Sequence, residues 1–300
     1  MNQPVIFGEV LFDCFPDEST VLGGAPFNVA WHLQGFGKAP ILVSRVGQDR
    51  RGQQVLQTMQ QWGMTTDGVQ TDDDRPTGTV QVSLDHGQPR FDIVDYVAYD
   101  GIDSAAALQV LHNSSSPLLY HGTLAIRHDT SRACLETLRR QGWPCFIDLN
   151  LRPPWWNNET IEYVLQQAQW IKLNDHELAE LAGCQADDKA ALTNAAREWQ
   201  QRYALAALIV TRGEHGAMLV DARGCYNGEP VHVENLIDTV GAGDAFSAIV
   251  ILGLLNGWSV ERILPRALQF ASLICSNRGA TTTDRSLYTS CLEKWDQEGD

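Results

Sequence analysis

Short apolar runs alternate along the chain with longer stretches in which apolar positions recur every three or four residues. Val5-Ile6-Phe7, Ile41-Leu42-Val43, Leu118-Leu119-Tyr120, Cys145-Phe146-Ile147, Trp170-Ile171-Lys172-Leu173 and Ala207-Leu208-Ile209-Val210 read as strands. Helical patterns fall near 53–62, 131–140 and 189–203. In the first of these Val55, Met59 and Trp62 share one face and Gly63 follows as a stop. The repetition predicts βαβ units and hence an α/β fold, a doubly wound, mainly parallel sheet covered by helices.

One region departs from that rhythm. Thr79-Val80-Gln81-Val82-Ser83-Leu84 and Pro89-Arg90-Phe91-Asp92-Ile93-Val94 alternate in polarity around Asp85-His86-Gly87-Gln88, which predicts a hairpin. In an α/β chain such a hairpin projects as a small antiparallel sheet, joined by the segment near 14–22, and would serve as a lid or a dimer surface. Residues 113–116 form a polar loop, and neither a solenoid-period repeat nor an interdomain linker is visible, so a single domain over 1–300 is expected.

The candidate chemistry lies at strand ends. Asp238-Thr239-Val240-Gly241-Ala242-Gly243-Asp244 stands between a strand-like segment, 231–237, and the nearly all-apolar stretch 245–255, long enough for three helical turns. Two glycines separated only by alanine let backbone approach a ligand closely, and a helix start supplies N–H donors and a positive dipole end. Asp244 falls in the first turn, where the dipole favours negative charge, and a carboxylate there can take a proton from a hydroxyl attacking phosphorus. Read alone, the turn is equally a capped helix start.

Other strand ends carry similar signals. Asp13 follows the first strand, where a carboxylate suits vicinal hydroxyls or a turn. Gly23-Gly24-Ala25-Pro26-Phe27-Asn28 leads into a helix with proline in its first turn. Asp148-Leu149-Asn150-Leu151-Arg152-Pro153-Pro154 stiffens the chain after a guanidinium suited to phosphate or carboxylate. Asn174 and Glu177 have capping-box spacing, which also suits a water-mediated Mg²⁺ site. Thr211-Arg212-Gly213-Glu214-His215-Gly216 predicts a hairpin turn fit to cradle phosphates.

Composition narrows the partners. With 37 acidic against 22 basic residues the formal net charge is −15, and no basic patch interrupts it, which argues against nucleic acid or an anionic membrane surface. Seven cysteines form neither a CxxC pair nor a zinc-like cluster, which points to a reducing, cytoplasmic setting. The first strand begins at Val5 without a basic-then-apolar leader, and no apolar run reaches membrane-spanning length.

Taken together, the Gly23-Gly24-Ala25-Pro26-Phe27-Asn28 and Asp238-to-Asp244 motifs in this order resemble the two signatures of the ribokinase/PfkB family of carbohydrate kinases, and the resemblance spans essentially the whole chain. Ala25 stands where ribokinases typically carry lysine, and with Asp148-Leu-Asn-Leu-Arg152-Pro-Pro the wording is most similar to fructokinases. The resemblance implies a ribokinase-like fold with a small β-sheet lid, its elements near 12–22 and 76–100, and an ATP-dependent kinase that phosphorylates a primary sugar hydroxyl, that of fructose first. It implies Asp244 as base, Gly241, Ala242 and Gly243 as anion hole, and Arg152 bridging sugar and phosphate. Asp13, Gly23, Gly24 and Asn28 would hold the sugar. Asn174, Thr211, Gly213, Gly216 and Asn277 would hold ATP, and Glu177 would hold Mg²⁺ indirectly. The carbonyls of Asp238 and Val240 would bind a monovalent cation such as K⁺.

A homodimer through the lid is a further expectation. Within the family, 2-keto-3-deoxygluconate, ribose or a nucleoside remain open as acceptors, the first because Arg152 also suits an acidic sugar. A non-catalytic sugar sensor and a nicotinamide-dependent oxidoreductase are rival classes. The intact base argues against the sensor, and the absence of GxGxxG after the first strand, where Gly8-Glu9-Val10 stands, argues against the oxidoreductase.

Overall fold

The computed structural model describes residues 3–85, 88–112, 118–233 and 235–298. His86 and Gly87 of the hairpin turn, the 113–116 loop and Glu234 lie outside the described residues. By its internal contacts the chain divides into two compact units, 1–117 with 125–143, and 118–124 with 144–300.

The first unit contains β1 (Val5–Phe7), β2 (Leu11–Cys14), β3 (Thr20–Gly23), α1 (Ala25–Gly35), β4 (Ile41–Gly47), α2 (Arg50–Trp62), β5 (Val69–Asp72), β6 (Gly78–Asp85), β7 (Gln88–Ile93), α3 (Ser104–Leu111) and α4 (Asp129–Arg139). β1 pairs in parallel with β4, and β4 with β5. Val5, Ile6 and Phe7 are fully buried, as expected of a parallel strand covered on both faces. α2 follows its periodicity: Val55, Met59 and Trp62 are buried, Asp49 caps its start by accepting from the Gly52 N–H, and Gly63 ends it at φ 85°.

The predicted hairpin is present as β6 and β7, with Val82 opposite Phe91. It belongs to a four-stranded sheet of order β3-β2-β6-β7. That sheet is mixed rather than antiparallel: β2 runs antiparallel to β3 but parallel to β6. The chain passes through β4, α2 and β5 between β2 and β6, and a crossover of that length permits parallel pairing where a tight turn would not.

The second unit contains β8 (Leu119–His121), β9 (Cys145–Asp148), α5 (Asn158–Leu165), β10 (Trp170–Asn174), α6 (Asp175–Ala182), α7 (Lys189–Arg202), β11 (Ala207–Thr211), β12 (Ala217–Asp221), β13 (Cys225–Gly228), α8 (Ala242–Asn256), α9 (Val260–Cys275) and α10 (Arg285–Gln297). β8, β9, β10 and β11 pair successively in parallel, and β12 and β13 add antiparallel at the edge. Phe146, Ile147, Ile171, Leu173 and Leu208 are fully buried along these strands. α8 is apolar all round and packs on α9, with every residue from Ala245 to Gly253 buried. The chain is thus an α/β protein of mainly parallel strands covered by helices, with a smaller four-stranded sheet.

Candidate active site

In the second unit the glycine-rich turn becomes the first turn of α8. Gly241 is the N-cap at φ 79°, a left-handed conformation, and a Cβ there would lie 2.3 Å from the Ala280 Cβ. Asp244 sits in the first turn, half-buried, where the helix N–H groups and the positive dipole end favour negative charge. The Asp238 carboxylate shapes the approach, accepting from the N–H of Val240 and of Gly279, each at 3.0 Å.

The strand expected at 231–237 does not form. Its described residues are irregular, and the Ile237 and Asp238 N–H groups donate to the Cys275 carbonyl, at 3.0 and 3.2 Å, where α9 ends. Val231, Leu236 and Ile237 are 40%, 63% and 62% exposed, so the apolar positions that suggested a strand are not paired with burial.

Beneath this turn lies a buried ion pair that the sequence reading did not single out. Lys172 and Asp148 are in register on β10 and β9, and the Lys172 Nζ donates to both Asp148 oxygens, at 2.9 and 3.1 Å. Ser247 of α8 donates its hydroxyl to the same carboxylate at 2.9 Å. Burial alone would push the Lys172 ammonium down. The carboxylate of Asp148, followed by those of Glu177 and Asp244, outweighs it and holds the group above its ordinary value. A lysine between the buried Ile171 and Leu173 of a strand was the available signal, since such a charge requires a partner.

The capping box at α6 is formed. Asn174 Oδ1 accepts from the Glu177 N–H, and Glu177 Oε2 accepts from the Asn174 N–H, both at 2.8 Å. The other Glu177 oxygen accepts from the Leu151 N–H at 2.7 Å, tying the loop of Arg152 to the start of α6. Burial pushes the Glu177 carboxyl up. Its two oxygens, each already holding a main-chain donor, fit a role around a hydrated divalent cation better than direct ligation. Arg152 itself is exposed and donates from Nη1 to the Leu151 carbonyl at 3.0 Å.

Asn174, Thr211 and Gly213 line one cleft of ≈ 820 Å³, together with Asp175, His176 and Arg212. That volume falls in the range of small-molecule sites. Gly216 serves the backbone: at φ 79° a Cβ would lie 2.2 Å from the Gly228 carbonyl oxygen. Asn277 is not among the residues lining this cleft, and its amide donates to the Leu273 carbonyl at 2.8 Å.

The first unit holds the remaining predicted residues. Asp13 lies on β2, paired with Val21 and Val80. Asn28 is buried in the first turn of α1, and its N–H donates to the Gly24 carbonyl at 2.9 Å. Gly24 is the N-cap at φ 108°, and a Cβ there would lie 2.7 Å from the Glu9 carbonyl oxygen. Gly24 therefore lets two stretches of backbone touch, the turn before α1 and the loop after β1.

A glycine turn with a carboxylate in the first turn of a buried helix has the parts that phosphoryl transfer to an alcohol requires. The chain belongs to the pfkB family of carbohydrate kinases, whose family profile matches residues 14–286. It is 30% identical to a fructokinase of Klebsiella pneumoniae over 271 residues, covering 85% of each chain. A sugar kinase of Pyrococcus horikoshii superposes with a TM-score of 0.83 at 24% identity, covering 99% of both chains. A fructokinase of Vibrio cholerae, solved with fructose, ADP and calcium ion, does so with a TM-score of 0.79 at 22% identity, over 96% of this chain and 98% of that one. The fold is ribokinase-like and the protein is a carbohydrate kinase. Among the described residues no helix is long and apolar enough to cross a membrane.

Proposed function

We propose that the protein is an ATP-dependent fructokinase, transferring the γ-phosphoryl group of ATP to the primary hydroxyl that gives fructose 6-phosphate. The observation that carries this reading is Asp244 in the first turn of α8, directly after the 241–243 turn. The similarity to fructokinases supports the choice of sugar.

In this mechanism the Asp244 carboxylate takes the proton of the attacking hydroxyl. The new O–P bond forms as the bond between the γ-phosphorus and the bridging oxygen of ADP breaks, and the N–H groups of residues 241–243 stabilise the charge on the moving phosphoryl. Arg152 bridges sugar and phosphate. Asp13, Gly23, Gly24 and Asn28 hold the sugar hydroxyls, and Asn174, Thr211, Gly213 and Gly216 place the nucleotide, with Asn277 beside adenine. Mg²⁺, when bound, neutralises the phosphates, and Glu177 would hold it through water. The carbonyls of Asp238 and Val240 would bind K⁺. The four-stranded sheet would act as a lid that excludes water. Its exposed Val21 and Phe91 offer apolar surface that a second copy would cover. The seven cysteines are all free thiols, which fits a cytoplasmic protein.

An acceptor screen with ATP, measuring ADP release, tests the reading. Fructose should give the highest kcat/KM among fructose, ribose, 2-keto-3-deoxygluconate and a nucleoside. Preference for 2-keto-3-deoxygluconate would overturn the sugar assignment and recast Arg152 as its carboxylate partner.

A further inference from the structure

We propose that Lys172 is a positioning residue for phosphoryl transfer: its buried ammonium, fixed by Asp148, is the positive charge behind the 241–243 turn that stabilises the phosphoryl group in transit. The proposal rests on the kinase reading above and adds a residue to its machinery.

Three observations converge. The first is location. A Cβ on Gly243 would lie 3.1 Å from the Lys172 Nζ, so the ammonium presses against the second residue of α8, immediately before Asp244. Gly243, unlike Gly241, has no left-handed backbone to explain it. The missing side chain instead makes room for the cation. The second is anchoring. Asp148 receives Lys172 from β10 and Ser247 from α8, so one carboxylate fixes the ammonium and the first turns of the helix to each other.

The third is charge. Three carboxylates, those of Asp148, Glu177 and Asp244, act on this one ammonium. Without it, an incoming phosphate would face an uncompensated cluster of negative charge. Stability alone does not call for the arrangement, because well-packed apolar residues replace buried ion pairs at little or no loss. Lys172 and Asp148 are 7% and 1% exposed, between the buried Ile171 and Leu173 on one strand and beside the buried Ile147 on the other, which makes a role for the charge itself the better account of its presence.

The test compares Lys172→Met with the double variant Lys172→Met/Asp148→Asn, which removes both charges and keeps both shapes. Lys172→Met should lower kcat by about 100-fold or more, the range seen on deleting one preorganised transition-state donor. KM for fructose and for ATP should stay within about threefold, since the ammonium is buried behind the turn. The double variant should melt like the wild type and remain slow. If its kcat returned to within about threefold of wild type, Lys172 would serve only to neutralise Asp148, and the proposal would fall. Should the single variant not fold, the double variant decides alone. As a readout independent of turnover, affinity for ADP with aluminium fluoride, a planar phosphoryl mimic, should drop in the double variant while affinity for ADP alone holds; parallel losses would also sink the idea. A wild-type enzyme silent on every sugar would instead overturn the kinase mechanism on which the proposal rests, and the proposal with it.

Discussion

Two helices in this protein begin with a glycine-containing turn, α1 after Gly23-Gly24 and α8 with Gly241 as its cap and Gly243 in its first turn, and the same residue type answers different physical demands at each. At α1 the glycine is a packing device. Gly24 lies against the Glu9 carbonyl, and the first turn carries proline but no acid. At α8 the two glycines divide the work: Gly241 adopts a left-handed N-cap against Ala280, and Gly243 admits the Lys172 ammonium beside an acidic first turn. Gly24 and Gly243 both mark crowding at a helix start, and what crowds each, a carbonyl or a cation, determines what the turn does. A backbone neighbour holds a fold together, whereas a charged neighbour sets a potential.

The largest effect expected from this contrast is at the acid that α1 lacks. Asp244→Asn keeps the shape of the first turn and removes the proton acceptor. We expect kcat to fall by about 10³-fold or more, while ATP affinity by calorimetry changes less than threefold and the melting temperature holds. Turnover near the wild-type rate would assign the base elsewhere.

Alanine at the two crowded glycines sharpens the contrast. Gly24→Ala forces a Cβ into a carbonyl at a backbone angle that L residues rarely adopt, and should cost about 2 kcal/mol of stability in urea unfolding. Gly243→Ala displaces a side-chain ammonium rather than backbone, so its main effect should be a lower kcat with a smaller loss of stability. The contrast breaks if Gly24→Ala spares stability and instead raises KM for the sugar, which would put the sugar rather than Glu9 in control of that position.

The smallest effect concerns α2, whose cap is an ordinary carboxylate. Partial burial alone would raise the Asp49 carboxyl, but N–H donors from Thr77 and Gly52 outweigh it and hold it below its ordinary value of 3.8. A lowered folded-state value means that its stabilisation is complete above the unfolded value and is lost as pH falls through the folded one. Asp49→Asn keeps the cap and loses the charge, so as pH falls below about 5 its stability should fall less steeply than that of wild type. An unchanged slope would mean that the Thr77 and Gly52 donors bind both forms equally.

Much of this architecture was legible in the chain because its signals are local. The face of α2, the alternating β6 and β7, the Asn174 and Glu177 cap and the β11–β12 hairpin each depend on residues a few positions apart. What escaped depends on distant partners. Residues 231–237 alternate like a strand, but their backbone bonds go to the end of α9, some forty residues on. The β2–β6 pairing is parallel because of what intervenes between the strands. Lys172 was visible as a misplaced charge within an apolar strand, but its meaning required Asp148 on the neighbouring strand and Gly243 on α8. The candidate site followed the same division: motif residues stood out by type and spacing, while the residue beneath them did not.

The pairing of Lys172 with Asp148 also constrains how this protein could change over generations. Either charge left alone in that strand layer would be a buried ion without a counterpart, and single losses of this kind are severely destabilising. The two positions should therefore be exchanged together or retained together. A descendant that abandons catalysis and keeps the fold for another purpose should have turned both apolar, leaving glycine at 243 free to become alanine.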